Sequence, residues 1–323
     1  MDSPLSHPRR PASPPATDWS ANVPRRRALV CLAGSALLAA GRPSWSQTAP
    51  AAGSRTPGAE RRPRLVTVGG GITEVVFALG AQDLLVGTDT TSLFPEAAQK
   101  TPKVGYMRQL SAEGLLALRP DALVAGTDAG PPVVLDQIRS AGVRVELIES
   151  DHRWDEVRRK VAAVGRATGR EAEARALQER LDARWAAVQD QVRRGSQARP
   201  PRVLFVLSHT GSPLVSGEAT AADAVIRFMG ATNALGGFKG YRPMTAEAMA
   251  LAAPDLILMT TQGLEAVGGA EKFWQRPELA LTPAYRQRAG GRSLLHLDAL
   301  ELLGFGPRLP EVILTLHERV VMS

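Results

Sequence analysis

Cysteine is nearly absent from this chain, whose 323 residues include one, Cys31. That residue lies in an apolar segment that reads as a removable leader. The chain beyond the leader therefore has no disulfide, no thiolate nucleophile and no cysteine metal site. The apolar run Ala28 to Ala40 is about 13 residues, short of the roughly 20 a bilayer span needs. No HExxH or clustered histidine spacing marks a zinc site, and no Walker loop or GxSxG elbow appears. GGGIT at Gly69 to Thr73 follows a strand signal, but Glu74 stands where the third glycine of GxGxxG belongs. No acidic residue closes a second strand in the right context either, which argues against a dinucleotide site. These absences speak against an enzyme; a secreted Rossmann-type enzyme stays as the alternative from another class.

Positive charge is also scarce where a nucleic-acid partner would need it. The formal charge is +7, but residues 1–63 hold nine Arg against Asp2, Asp18 and Glu60, which leaves +1 for the remainder. A phosphate backbone would find little there to bind, so no nucleic-acid partner is expected. The basic start reads instead as targeting. Arg25, Arg26 and Arg27 precede the apolar run, and small residues Ser44 and Ser46 come after it, as in a secretory signal peptide over residues 1–46. A buried core helix is the alternative. Three arginines allow the twin-arginine route beside Sec, although Ala28 stands where that signal has a larger apolar residue. Cys31 lies near the beginning of the run, whereas a lipid anchor would place it at the end. Residues 47–63 read as a disordered tether, and the expected location is the periplasm, as a monomer.

From Arg64 short apolar runs alternate with amphipathic stretches, the mark of an α/β lobe with a parallel sheet. RLVTVG, LLVGTD, DALVAG and RVELIE read as strands of a first lobe, residues 64–168. Helices are suggested at Ile72 to Leu79, Ser111 to Leu118 and Pro131 to Ala141. A second series, residues 199–323, contains the strands RVLFVL, DLILMT and SLLHLD, helices near Ala221 to Met229 and Thr245 to Leu251, and a last helix from about Pro310. Between them Ala174, Leu177, Leu181, Trp185, Val188 and Val192 recur at steps of three and four, predicting one long helix within 169–198. A rigid helix, rising about 1.5 Å per residue, would hold the lobes at a nearly fixed separation, so little closure is expected.

The two halves repeat one another. Gly105 to Asp121 reads GYMRQLSAEGLLALRPD and Gly240 to Asp255 reads GYRPMTAEAMALAAPD; FALGAQDLL from Phe77 is echoed by FMGATNAL from Phe228. Duplicated lobes imply a ligand cleft between them. The first lobe carries an extra loop, TDTTSLFPEAAQKTPK, just before Tyr106.

Tyr106 sits in a loop where its phenol can enter the cleft, although loop tyrosines also simply pack. Arg108 favours an ionised phenol, and a phenolate is a hard ligand for ferric iron and one of the haem axial ligands. Tyr241 and Arg242 hold the matching place in the second half, offering an aromatic wall and a cation for carboxylates, or a packed ring beside a solvated side chain. His209 ends the strand RVLFVL on the crevice side and is either a ligand or a histidine satisfied by backbone. His152, His296 and His317 read as structural. Glu113 and Glu247 each follow a cap, Ser111 or Thr245, where the helix dipole alone explains a carboxylate. Their duplication favours a second role, docking on a two-fold symmetric membrane partner.

On these segments the chain resembles the periplasmic haem-binding proteins of bacterial ABC haem importers, in the rigid-helix class that also carries cobalamin and ferric siderophores. The resemblance covers about Arg64 to the C-terminus. The SAE and TAE segments look like the class's docking positions, Glu113 and Glu247, toward an inner-membrane ABC permease with its ATPase. GYMRQLS looks like the haem branch, which implies Tyr106 as axial ligand of ferric haem b supported by Arg108. By the same resemblance His209 is a candidate ligand for a second haem iron and Arg242 a candidate propionate contact. A siderophore or cobalamin carrier of the same class is the nearest alternative.

Overall fold

A computed structural model describes residues 62–209 and 212–321. The segment read as a signal peptide, with Cys31, and nearly all of the tether lie outside the described residues.

Each lobe starts from a strand that the repeated motif pins in place. In the first lobe β1 (Leu65–Val68) is followed by α1 (Gly70–Ala78), β2 (Leu85–Thr88), α2 (Ala112–Ala117) and β3 (Ala122–Gly126). Then come α3 (Pro132–Ser140), β4 (Arg144–Ile148) and α4 (Trp154–Thr168). The sheet runs β2-β1-β3-β4, all parallel. β1 and β3 are buried along their whole length, as apolar strands covered on both faces should be.

The linker is longer than one helix. α5 (Glu171–Arg194) is the predicted spine, but α4 folds back on it as a hairpin, with Trp154 and Trp185 stacked at 4.7 Å and Trp154 Nε1 donating to Asp182 at 2.6 Å. Ala174 and Leu177 of α5 pack into the first lobe's core, whereas Val188 and Val192 pack into the second's. Leu181 lies against both.

The second lobe begins with β5 (Arg202–Leu207), β6 (Leu214–Ser216), α6 (Ala221–Phe228), β7 (Thr232–Asn233), β8 (Tyr241–Pro243), α7 (Ala246–Ala252) and β9 (Leu256–Thr260). It continues through α8 (Thr261–Ala266), α9 (Gly269–Trp274), α10 (Pro283–Arg286), β10 (Leu294–Leu297), α11 (Ala299–Leu303) and α12 (Leu309–Val321). Its parallel part, in which β5 pairs with β7 and β9, and β9 with β10, repeats the first lobe's order strand for strand. The expectation of two parallel sheets needs one correction here. β6 and β8 add an antiparallel ribbon, so the second sheet is mixed; two three-residue strands leave no alternation long enough to read.

The duplicated Pro-Asp has a physical role in both halves. Asp121 accepts the backbone N–H of Arg64 at 2.8 Å, and Asp255 that of Arg202 at 2.9 Å. The two arginine side chains donate to the last carbonyls of the preceding helix, Arg64 to Leu118 and Arg202 to Ala252. Each motif thus ties a strand start to the C-terminus of the helix before it, where a cation also meets the negative end of the helix dipole.

Candidate functional site

The lobes meet at the carboxyl ends of their strands, the side on which α/β sheets place ligands. A basic depression of about 480 Å³ lined by Arg62, Arg64, Ala117 and Arg119 lies at the opposite, amino end of β1. Its Arg62 is paired with Asp83 and its Arg64 is held by carbonyls.

Gly105 adopts φ 99°, a left-handed conformation that admits glycine most readily, and this turn presents Tyr106, 42% exposed. Arg108 faces Asp128, just past the end of β3, at 3.4 Å; the Asp128 carboxylate also accepts from Ser150 Oγ at 3.0 Å. From the second lobe Tyr241 of β8 enters with 37% of its surface exposed. Burial pushes its phenol above the ordinary value, opposed by hydrogen bonding from Thr220 and Ser216 and by the charge of Arg108. Arg108 therefore acts across the cleft on the second lobe's phenol, a partner the sequence did not reveal. Arg242 lies over the Phe238 ring at 4.2 Å, an exposed cation. His209 is exposed just beyond β5, next to residues outside the described set.

So the structure joins Arg108 to Tyr241 electrostatically, sets His209 just beyond the carboxyl end of β5, and leaves Arg242, beside Tyr241 on β8, over Phe238. The other described histidines have internal partners. His152 packs on Phe305 at 5.3 Å, His296 bonds Thr261 at 3.1 Å, and His317 bonds the Met229 carbonyl at 2.9 Å. Among the described residues no cluster of three or more His, Cys, Asp or Glu is arranged for a metal.

Glu113 and Glu247 stand exposed in the first turns of α2 and α7. Ser111 and Thr245 cap these helices by accepting from Gly114 N at 3.4 Å and Ala248 N at 3.1 Å. Bonding to its own backbone N–H and to Thr245 lowers the Glu247 carboxyl below its usual value, which keeps it charged.

Behind the cleft a charged clasp joins the lobes. Arg308 donates to Glu74 at 2.8 and 2.9 Å and to Glu301 at 2.6 Å. Lys160, buried, pairs with Glu156 at 2.7 Å and donates to the carbonyls of Gly304 and Phe305. Gly71 abuts this segment so closely that a Cβ there would overlap the Gly304 carbonyl oxygen. Sequence reasoning used Glu74 only to discount a nucleotide motif; a partner 234 residues away leaves no local signature.

The model of the family described as "Periplasmic binding protein" matches residues 65–289. The chain belongs to that family. Among solved structures it is similar to the periplasmic heme-binding protein BhuT in complex with two hemes, at 47% identity and a TM-score of 0.76, covering 80% of this chain and 98% of that one. The apo periplasmic heme-binding protein RhuT from Roseiflexus sp. RS-1 is 37% identical, with 81% and 98% covered and a TM-score of 0.76. Curated relatives include the vitamin B12-binding protein of Yersinia pestis, 22% identical over 75% of this chain and 86% of its own length. The uncharacterized ABC transporter substrate-binding lipoprotein YvrC of Bacillus subtilis is 27% identical over 60% of this chain, and the match spans only 62% of that lipoprotein. Family and neighbours are substrate-binding proteins, and the neighbours named here from solved structures bind haem.

Proposed function

We propose that this protein is a periplasmic carrier of ferric haem, exported by its N-terminal signal, that delivers its ligand to an inner-membrane ABC permease and ATPase. The observation that supports this reading is the Gly105 turn that presents Tyr106 beside Arg108, whose charge reaches the Tyr241 phenol of the other lobe. Tyr106 is the axial ligand, as a tyrosinate that favours ferric over ferrous iron. Arg108 supports that phenolate, Arg242 supplies a cation for a propionate, and His209 is the candidate ligand for a second haem iron. A lobe junction fixed by α4, α5 and the clasp supports uptake with little closure. Glu113 and Glu247, one per lobe, suit a two-fold symmetric permease.

Titration of the purified protein with haemin tests the ligand: Tyr106→Ala is expected to lose the visible signature of the wild type and most of its affinity. An unchanged spectrum and affinity would remove Tyr106 from its role. For docking, Glu113→Lys with Glu247→Lys is expected to abolish transport with haem binding intact; loss of both would make the glutamates structural. A cobalamin or siderophore carrier is the second reading, supported by the B12-binding relatives; it would leave Tyr106 and Arg108 without a task.

A further inference from the structure

The loop Thr88 to Lys103 is present in the first lobe only, and none of the roles above uses it. It is braced around an apolar tip. The buried Asp89 carboxylate accepts from Gly69 N, Thr91 N, Thr91 Oγ1 and Ser92 Oγ at 2.9, 3.0, 2.5 and 2.7 Å. Lys103 Nζ donates to Thr88 Oγ1, Ser92 O and Ala98 O, and Gln99 Nε2 to Leu93 O. Thr90 N–H bonds the Gly105 carbonyl at 2.9 Å, tying the loop to the residue that precedes Tyr106. Yet Leu93 and Phe94 remain 39% and 44% exposed. The Phe94 ring lies under the Arg308 guanidinium, 3.8 Å away across the lobe boundary.

A single exposed apolar residue needs no explanation. Two adjacent ones, held rigid by a buried carboxylate and a partly buried ammonium beside the Tyr106 turn, do. We infer that Leu93 and Phe94 form the apolar wall of the cleft and receive an apolar edge of a flat macrocyclic ligand, leaving its carboxylate edge to Arg242. This rests on the haem reading. A permease contact is disfavoured because a surface for a two-fold partner should recur in both lobes, and this loop does not.

The test is Leu93→Ser with Phe94→Ser, titrated with ferric haem. Affinity is expected to fall about tenfold with the spectrum of the bound form unchanged, because Tyr106 still ligates. Leu93→Met with Phe94→Leu, which keep the wall apolar, should regain most of the affinity that the serine variant loses. Iron deuteroporphyrin, which lacks the vinyl groups, should bind the wild type more weakly than haem, and the double serine variant should lose that preference. Should the double variant fail to fold, Leu93→Ser alone, which leaves the Arg308 contact intact, is expected to weaken binding about threefold. Unchanged affinity and preference would overturn the wall. So would unchanged affinity with lost stimulation of the permease ATPase, which would make the loop a partner contact. Failure of the wild type itself to bind haem would overturn the haem reading along with the wall.

Discussion

Arg108 pairs with Asp128 of its own lobe, and its charge also bears on the Tyr241 phenol of the other. Tyr241 has a phenol raised by burial, and Arg108 is among the causes that hold the rise in check. Removing that cation should raise it further. In Arg108→Ala the Tyr241 ionisation, read as the phenolate absorbance lost on adding Tyr241→Phe, is expected at higher pH than with Arg108 present; an unmoved or lower midpoint would contradict the geometry. The stability consequence has a definite sign. A folded-state value above the ordinary 10.0 means the fold favours the neutral phenol, a contribution present below about pH 10 and lost as the pH climbs through the folded value. At this scale the sequence singles out Tyr106 with Arg108 and Tyr241 with Arg242 through a repeated Gly-Tyr followed closely by arginine. Asp128, Ser216 and Thr220 are not legible there, since each acts through space on a residue remote in sequence and sits in no repeated motif.

The capped helices α2 and α7 show what a local signal can specify. Ser and Thr before an apolar stretch, followed by Pro-Asp, predicted both helices to within a residue or so, because caps and breakers act on the nearest backbone. Their far ends depend on Arg64 and Arg202, which reach across from the first strand of each lobe. Arg202→Ala would leave the Ala252 and Ala234 carbonyls without their charged donor, and a loss of about 1.5 to 3 kcal/mol in denaturant unfolding is expected. A loss within error would mean that water replaces the guanidinium fully. Thr245→Ala should cost about 1 kcal/mol, and Ser111→Ala less, since its bond is longer. The ribbon β6–β8 and the helices α8 to α11 escaped the sequence reading for a different reason. They are three to six residues long, too short for a period of 2 or 3.6 to repeat, and the fold around them decides their form.

Among the described residues both lobes belong to one compact unit, joined by more than the long helix read from the sequence. The Lys160 grip on Gly304 and Phe305 and the Glu74–Arg308 pair both cross between halves, and the stack of Trp154 and Trp185 stiffens the helical hairpin that links them. Burial pushes the Glu74 carboxyl above its ordinary 4.5, against the pull of Arg308 and Lys160. In Arg308→Met the raising cause would act with less opposition. The fold would then bind that proton more readily than the unfolded chain, so the contribution of Glu74 is full below about pH 4.5 and drains away as the pH rises. Urea unfolding is expected to show a deficit of about 3 to 5 kcal/mol near neutrality that shrinks toward pH 5; equal deficits at both would contradict a buried, cation-dependent carboxylate. Gly71→Ala should likewise force the seam apart and lower the melting temperature.

At the heart of the proposed function, a phenol oxygen of the first lobe holds ferric haem between two lobes that scarcely move. A crystal structure of the protein grown with haemin is the decisive measurement. The Tyr106 oxygen is expected bonded to iron, with Leu93 and Phe94 against the porphyrin and the lobes at nearly their present separation. A Tyr106 ring turned away from a bound porphyrin, or a cleft closed by a large hinge rotation, would contradict the proposal.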